Sequence, residues 1–277
     1  MTLFSRNFFE HEDHHPSLAS AHYKAYFFGP FRVAHDEHAL GEPKWRRNKA
    51  KALLKWFLLN PGDLFSVEQL SKLFWPATPP RVAASNLHVT LHYLRHVLEP
   101  DLASGRPSTF IRRNRYNYYW FDLNDDWWTD LADIRYLSTG AREAERQADF
   151  SRAIALSGRL ISYYGLTFLP EDIYEDMFSP YRRQYEYAHI QLLEHLMQLY
   201  IQTDRFDQAL SCALHTLTVD PYNESAVKTM VRSYLLQGNT TAALCQLDEF
   251  QATLQQDLGI GISKDLLALR TTILGSR

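Results

Sequence analysis

Between Pro80 and Leu98 the chain carries Ser85, Asn86, His88, Thr90, His92, Tyr93 and Arg95, a set of hydrogen-bond donors, acceptors and one cation. No acidic side chain interrupts the set before Glu99. Such a face bonds to base edges in both senses and repels no phosphate, which suits a helix lying in a DNA major groove. A second set stands at Arg112, Arg113, Asn114 and Arg115, where cations crowd a polar break between aromatic and branched residues. Guanidinium groups gathered at a tip suit phosphate oxygens. Ser66 offers a third, smaller possibility. It opens Ser66-Val67-Glu68-Gln69, a capping-box pattern, and the free amides of a helix start can hold a phosphate.

The first set acts only if a helix presents it. Ala84, Leu87, Leu91, Leu94 and Leu98 recur at three-and-four spacing, which predicts a helix with these residues inward and the polar set opposite. A solvated helix face has the same composition, so the neighbouring elements decide. Aromatic and branched residues from Tyr23 to Leu40, broken at Gly29-Pro30 and Asp36-Glu37, predict two or three short strands. Lys44 to Leu59 predicts a helix with Ala50, Leu53, Leu54, Phe57 and Leu58 inward, stopped by Asn60-Pro61-Gly62. Arg47, Lys51 and Lys55 on its other side read as a solvated stripe, with phosphate contact the alternative. Ser66 opens the next helix, with Val67, Leu70, Leu73 and Phe74 inward and Trp75-Pro76 at its end. After Glu99-Pro100, the run Thr109 to Asp122 predicts a β-hairpin with arginines at its tip.

Strands, three helices and a closing hairpin make a winged helix-turn-helix, an α+β unit expected over residues 23–123. Residues 1–22 read as a disordered polar tail. Its Glu10-His11-Glu12-Asp13-His14-His15 run has metal-ligating side chains but no partner ligands at helical spacing, so neither a metal nor another cofactor is expected.

The net charge of −3 divides unevenly. Residues 24–123 hold 15 Lys and Arg against 8 Asp and Glu, whereas residues 124–277 hold 13 against 21. The basic half is the one with the polar helix, which favours a polyanion-binding module joined to one that binds no polyanion. No apolar run reaches the roughly 20 residues of a membrane helix, and the N-terminus lacks a signal peptide's apolar stretch, so a cytoplasmic protein is expected. Cys212 and Cys245 lie in apolar helical patterns with no CxxC pair and read as buried free thiols. The acidic residues of the second half have no nucleophile or ligand near them at suitable spacing, so no enzyme is expected.

Beyond Asn124 helical patterns prevail: Trp128 to Arg146, Phe150 to Tyr163, Pro180 to Gln202, Phe206 to Val219, Asn223 to Leu236, Thr240 to Leu258 and Ser263 to Leu274. Arg205-Phe-Asp-Gln-Ala-Leu210 returns as Asn239-Thr-Thr-Ala-Ala-Leu244, with Ala209 and Ala243 separated by 34 residues, the tetratricopeptide period. Asp149-Phe-Ser-Arg-Ala-Ile154 reads as an earlier copy, set apart by an insertion containing Phe168-Leu169-Pro170 and Tyr174-Glu175-Asp176. An all-α tetratricopeptide-like repeat domain is expected over 124–277.

The first half resembles the OmpR-type DNA-binding domain, through Leu94-Arg95 near the end of the recognition helix and an aromatic wing strand around Tyr118. Asn117 stands where that wing commonly has glycine. Followed by such helices, it resembles the antibiotic regulatory protein (SARP) family with its bacterial transcriptional activator domain, over roughly residues 23–274. The second half of that resemblance rests on Trp75-Pro76, Asp130 with Ile134, Phe168-Leu169-Pro170, Arg182-Arg183, Asp220-Pro221 and Leu258-Gly259, in family order. It implies an activator that binds double-stranded promoter DNA at direct repeats, as a dimer with itself, and touches RNA polymerase. His88, His92 and His96 replace the arginines frequent in the family's recognition helices, so no operator sequence carries over. The competing expectation is an adaptor, in which the repeats bind a protein and the winged helix is a docking module.

Overall fold

The computed structural model describes residues 20–36, 38–40 and 48–275. Most of the 1–22 segment, including its histidine run, lies outside them, as do Glu37 and Arg47. The last part of that segment is attached: Ala21 is buried, and His22 Nδ1 lies 2.6 Å from Asp36 Oδ1. The described residues up to Tyr136, together with Leu169–Phe178, form one compact unit; Leu137–Phe168 and the residues from Ser179 onward form another.

In the first unit the order is β1 (Tyr23–Tyr26), β2 (Arg32–His35), β3 (His38–Ala39), α1 (Asn48–Leu59), β4 (Phe65–Ser66), α2 (Val67–Phe74), α3 (Pro80–Leu98), β5 (Ile111–Arg113), β6 (Tyr118–Phe121) and β7 (Trp127–Thr129), followed by the start of α4 (Asp130–Arg146). Leu53, Leu54 and Phe57 of α1, Leu70 and Phe74 of α2, and Leu87, Leu91 and Leu94 of α3 bury their side chains together with the sheets' aromatic residues, as the apolar spacing predicts. The inward stripe of α3 begins at Ala83 rather than Ala84. The expected hairpin is the larger part of a three-stranded antiparallel sheet, β4-β6-β5, because Phe65 and Ser66 pair with Tyr119 and Tyr118.

Two features depart from the local reading. Trp128, expected to start a helix, is in a strand with Trp127: β7 pairs parallel with β1 through Tyr23↔Trp127, Lys24↔Trp128 and Ala25↔Thr129 and closes the sheet β3-β2-β1-β7. Trp127 is 1% exposed, its ring stacked 4.7 Å from Tyr23 and edge-on to Phe121 at 5.2 Å. A division at 123/124 therefore cuts through this unit, and a piece ending at residue 123 lacks a strand and a large buried aromatic side chain.

Lys55 is the other departure. It is neither solvated nor available to phosphate, being 2% exposed with its Nζ 3.0 Å from Glu171 Oε1 and bonded also to Asp172 Oδ2. Glu171 Oε1 also accepts from the Phe31 amide at 2.9 Å, and the Leu169 amide donates to the Phe27 carbonyl at 2.9 Å. Glu171 and Asp172 thus belong to the charge balance of α1.

Asp130, at the start of α4, is 1% exposed. Its Oδ2 accepts from the Phe27 and Phe28 amides at 2.6 and 2.9 Å, while Oδ1 has no hydrogen-bond partner among the described residues. Burial pushes its pKa from 3.8 up to about 7, against the lowering effect of those amides. A carboxyl whose folded pKa is raised contributes stability that is complete below its ordinary pKa and is lost as pH climbs through the folded value. Asp130→Asn keeps an acceptor for both amides and removes the titration. Its unfolding free energy, followed by urea denaturation, is expected to lack the decline that the natural chain shows between about pH 4 and 7.

The second unit contains the rest of α4, then α5 (Phe150–Tyr164), α6 (Ser179–Gln202), α7 (Phe206–Val219), α8 (Glu224–Leu236), α9 (Thr240–Leu258) and α10 (Lys264–Gly275). Its helices follow the predicted pattern closely, and the repeat is visible in the backbone. Ala148, Asp204 and Gly238 each take a left-handed turn, with φ of 58°, 55° and 76°. The amide of the next residue then donates to the carbonyl five residues back, Asp149 to Ala144, Arg205 to Tyr200 and Asn239 to Tyr234, each at 2.8 Å. Three helix pairs, α4–α5, α6–α7 and α8–α9, are joined by this one turn. Asp149 and Asn239 cap the helices that follow, and Ala153, Ala209 and Ala243 are fully buried, where small side chains permit close helix approach. Cys212 is buried and free as expected, but Cys245 is exposed.

Candidate nucleic-acid interface

Helix α3 begins with Pro80 at its first turn, where a missing amide hydrogen costs nothing, and runs for 19 residues. Its leucines face the core of the first unit and so turn the opposite side outward. Ser85, His88 and His92 are exposed, and Asn86 and Tyr93 are half-buried. The Asn86 side-chain amide makes no hydrogen bond among the described residues. His88 Nδ1 lies 3.3 Å from the Tyr119 hydroxyl, and His96 Nδ1 lies 2.9 Å from the His92 carbonyl.

Two residues of the expected reading face are committed elsewhere. Thr90 is 4% exposed, and its hydroxyl donates to the Asn86 carbonyl at 2.7 Å, the back-bond common for threonine within a helix. Arg95 is half-buried, and its Nη2 donates to the Ile111 carbonyl at 2.8 Å. Burial is the main cause that lowers its pKa from the ordinary arginine value. Arg95 therefore ties α3 to strand β5. Conversely, Arg81 is exposed, as are Val82 at 50% and Val89 at 48%, on the outward side of α3. The sequence signal for the valines was their position off the leucine stripe.

The wing is held by its asparagines. The Asn114 side-chain oxygen accepts from the Tyr116 and Tyr118 amides at 2.9 and 3.1 Å, which closes the turn. Asn117 has φ of 63°, the left-handed conformation that glycine supplies elsewhere and asparagine tolerates. Arg113 and Arg115 are exposed at this tip. Arg113 Nε donates to the Asn117 side-chain oxygen at 3.0 Å, and the Arg115 guanidinium sits over the Tyr116 ring at 4.8 Å. Arg112 points back along the strand, with Nε 3.3 Å from Asp122 Oδ2, as side-chain alternation requires.

Ser66 serves as a helix cap. Its hydroxyl accepts from the Gln69 amide at 3.1 Å, while the Gln69 side chain accepts from the Ser66 amide at 2.8 Å. Those bonds occupy two of the amides that a phosphate would use, and Glu68 places an acidic side chain in the same turn.

Beside α3 a hollow of about 500 Å³ has Asn86 and Val89 on one wall and Lys49 and Trp75 on others. A larger one, of about 770 Å³, brings Arg95, Arg106, Arg112 and Arg113 together at the base of the wing, with Asp122 as its acidic member. Among the described residues no group of three or more histidine, cysteine or acidic side chains is placed to hold a metal ion, and no helix is long and apolar enough to cross a membrane.

Residues 129–274 match the family described as Bacterial transcriptional activator domain. The chain is 26% identical over 240 residues to "Transcriptional regulatory protein MoaR1" of Mycobacterium tuberculosis (strain ATCC 25618 / H37Rv), covering 85% of this chain and 73% of that protein. The MoaR1 of Mycobacterium bovis (strain BCG / Pasteur 1173P2) matches to the same extent. The solved structure of Mycobacterium tuberculosis EmbR in complex with a low affinity phosphopeptide superposes with a TM-score of 0.75 at 19% identity, covering 92% of this chain and 66% of that one. This chain thus spans just under two thirds of EmbR's length in that structure, and the likeness is one of fold. With an OmpR-like winged helix ahead of paired helices, the chain belongs to the bacterial transcriptional activator domain family of SARP-type transcriptional regulators.

Proposed function

We propose that this regulator binds double-stranded promoter DNA in a sequence-specific manner, with α3 in the major groove and the wing on the phosphate backbone, and that it activates transcription. The observation that carries the reading is the outward side of α3, with Asn86, Ser85 and His92 open to a partner and an arginine-tipped wing in the same compact unit. The basic balance of residues 24–123 supports it. The helical repeats, acidic in balance, supply the surface for protein partners: RNA polymerase and a second copy of the chain on direct repeats. The reading unit extends past the expected 23–123, since β7 and residues 169–178 complete it.

Footprinting by the full chain upstream of a promoter, coupled to transcription by purified RNA polymerase on the same template, tests the proposal. A protected site with raised transcript is expected. No protected site would favour the adaptor, and protection with unchanged transcript would remove activation.

The wing has its own test. Each arginine that neutralises a phosphate contributes about 0.9 to the slope of log affinity against log salt. Arg113→Ala with Arg115→Ala is expected to shallow that slope by roughly 1.8 and to weaken operator and random DNA equally, because phosphates carry no sequence. An unchanged slope in a variant with unaltered circular dichroism would remove the wing as a clamp.

A further inference from the structure

Val82 and Val89 need an explanation that the polar residues do not provide. At 100° per residue they stand two turns apart and form a line on the outward side of α3, roughly 40–60° from its centre, which Ser85 and His92 occupy. Asn86 and Tyr93 flank that line on one side, and Ser85 and His92 flank it on the other. The two valines remain 50% and 48% exposed, while Ala83, Leu87, Leu91 and Leu94 take the core. Neither valine belongs to the buried core, so both are available to a partner that offers apolar groups among polar ones. The major groove presents one apolar group, the thymine methyl.

The polar neighbours agree on the same base pair. Asparagine bonds bidentately to adenine, and the Asn86 amide is unengaged among the described residues. Guanine is read best by arginine, but Arg95 is withdrawn to the Ile111 carbonyl, which leaves Arg81 in the first turn as the remaining arginine of the helix. Val89 and Asn86 also share the hollow whose other walls include Lys49 and Trp75. A DNA strand whose phosphate approaches Lys49 would present its bases to that pair.

We infer that α3 reads A·T pairs, with Val82 and Val89 packing on thymine methyl groups and Asn86 bonding to adenine. This rests on the major-groove reading proposed above. The valines are about 10.5 Å apart along the helix, and base pairs rise about 3.4 Å, so the two methyls lie within about three base pairs of each other.

The test is to select duplexes from a random pool with the full chain, then to replace each thymine of the selected site by deoxyuridine, which lacks only the methyl group. A·T pairs are expected at the core of the site. One or two uridine positions, within about three base pairs, are expected to weaken binding about fourfold, the effect of one buried methyl. Val89→Ala and Val82→Ala each lose the response at one such position while keeping the others. A core of G·C pairs, uridine substitutions without effect, or variants that respond as the natural chain does would each overturn the inference and leave DNA reading intact. Failure to enrich any sequence would overturn both.

Discussion

Exchanging Glu171 for Gln and Asp172 for Asn is expected to destabilise the first unit by about 3–5 kcal/mol, the cost of leaving a buried charge without its partner. Lys55 is 2% exposed and stands among Phe31, Glu171 and Asp172, its Nζ 4.9 Å from the Phe31 ring centre. In the natural chain burial alone would raise the Glu171 carboxyl. Its own backbone amide, Lys55 and the Phe31 amide outweigh that effect and hold it below the usual value. A lowered carboxylate contributes stability present above its ordinary pKa and lost as pH falls through the folded value, so the ion cluster weakens in acid. Asp130 has the opposite sign, and the two slopes separate when each is removed by itself. Urea denaturation at pH 7, read by tryptophan fluorescence, is the measurement. Adding Lys55→Met to the double variant should recover most of the loss, because an apolar replacement of a whole buried pair is often neutral. A double variant as stable as the natural chain would show that these carboxylates do not hold Lys55.

The second large effect is on sequence discrimination. Under the proposed major-groove docking, Asn86→Ala with His88→Ala is expected to lower the ratio of operator to random affinity. Each side chain that reads a base edge supplies about 1–3 kcal/mol of that discrimination, which is roughly 5- to 150-fold for Asn86 alone. Asn86 carries the larger share, since His88 already lies near the Tyr119 hydroxyl. Neither side chain is in the core, so thermal stability should remain nearly unchanged. Competition binding with operator and scrambled duplexes at fixed salt gives the ratio directly. A ratio preserved in the double variant would show that another surface does the reading.

Much of this arrangement was legible because it is local. The leucines of α3 recur with the helical period and face inward, which leaves Asn86 on the outward flank without reference to any distant residue. The Ser66 capping box is formed by residues three apart, and both of its bonds are present. Asn117 at a glycine position still made the left-handed turn of the wing. Thr90 and Arg95 make intrachain bonds that the sequence did not indicate, for a related reason. Their side-chain types suit base contacts, but whether a hydroxyl bonds back to its own helix, or a guanidinium reaches a carbonyl 16 residues ahead, depends on angles and neighbours that spacing does not reveal.

By itself the sequence determined the order of the main helices and of the strands other than β4 and β7, the three-helix frame with its hairpin, the 34-residue repeat marked by Ala209 and Ala243, and the basic-to-acidic change along the chain. All of these follow from periodicity, caps and composition, which act over one or two turns of chain. Only the tertiary structure decided that Trp127 pairs with Tyr23, that Asp130 receives the Phe27 and Phe28 amides, and that Glu171 and Asp172 neutralise Lys55. These contacts join residues about a hundred positions apart. Each depends on burial, where an unpaired charge or amide is costly, and the local pattern of a tryptophan, an aspartate or a lysine is the same whether its partner is water or a distant segment.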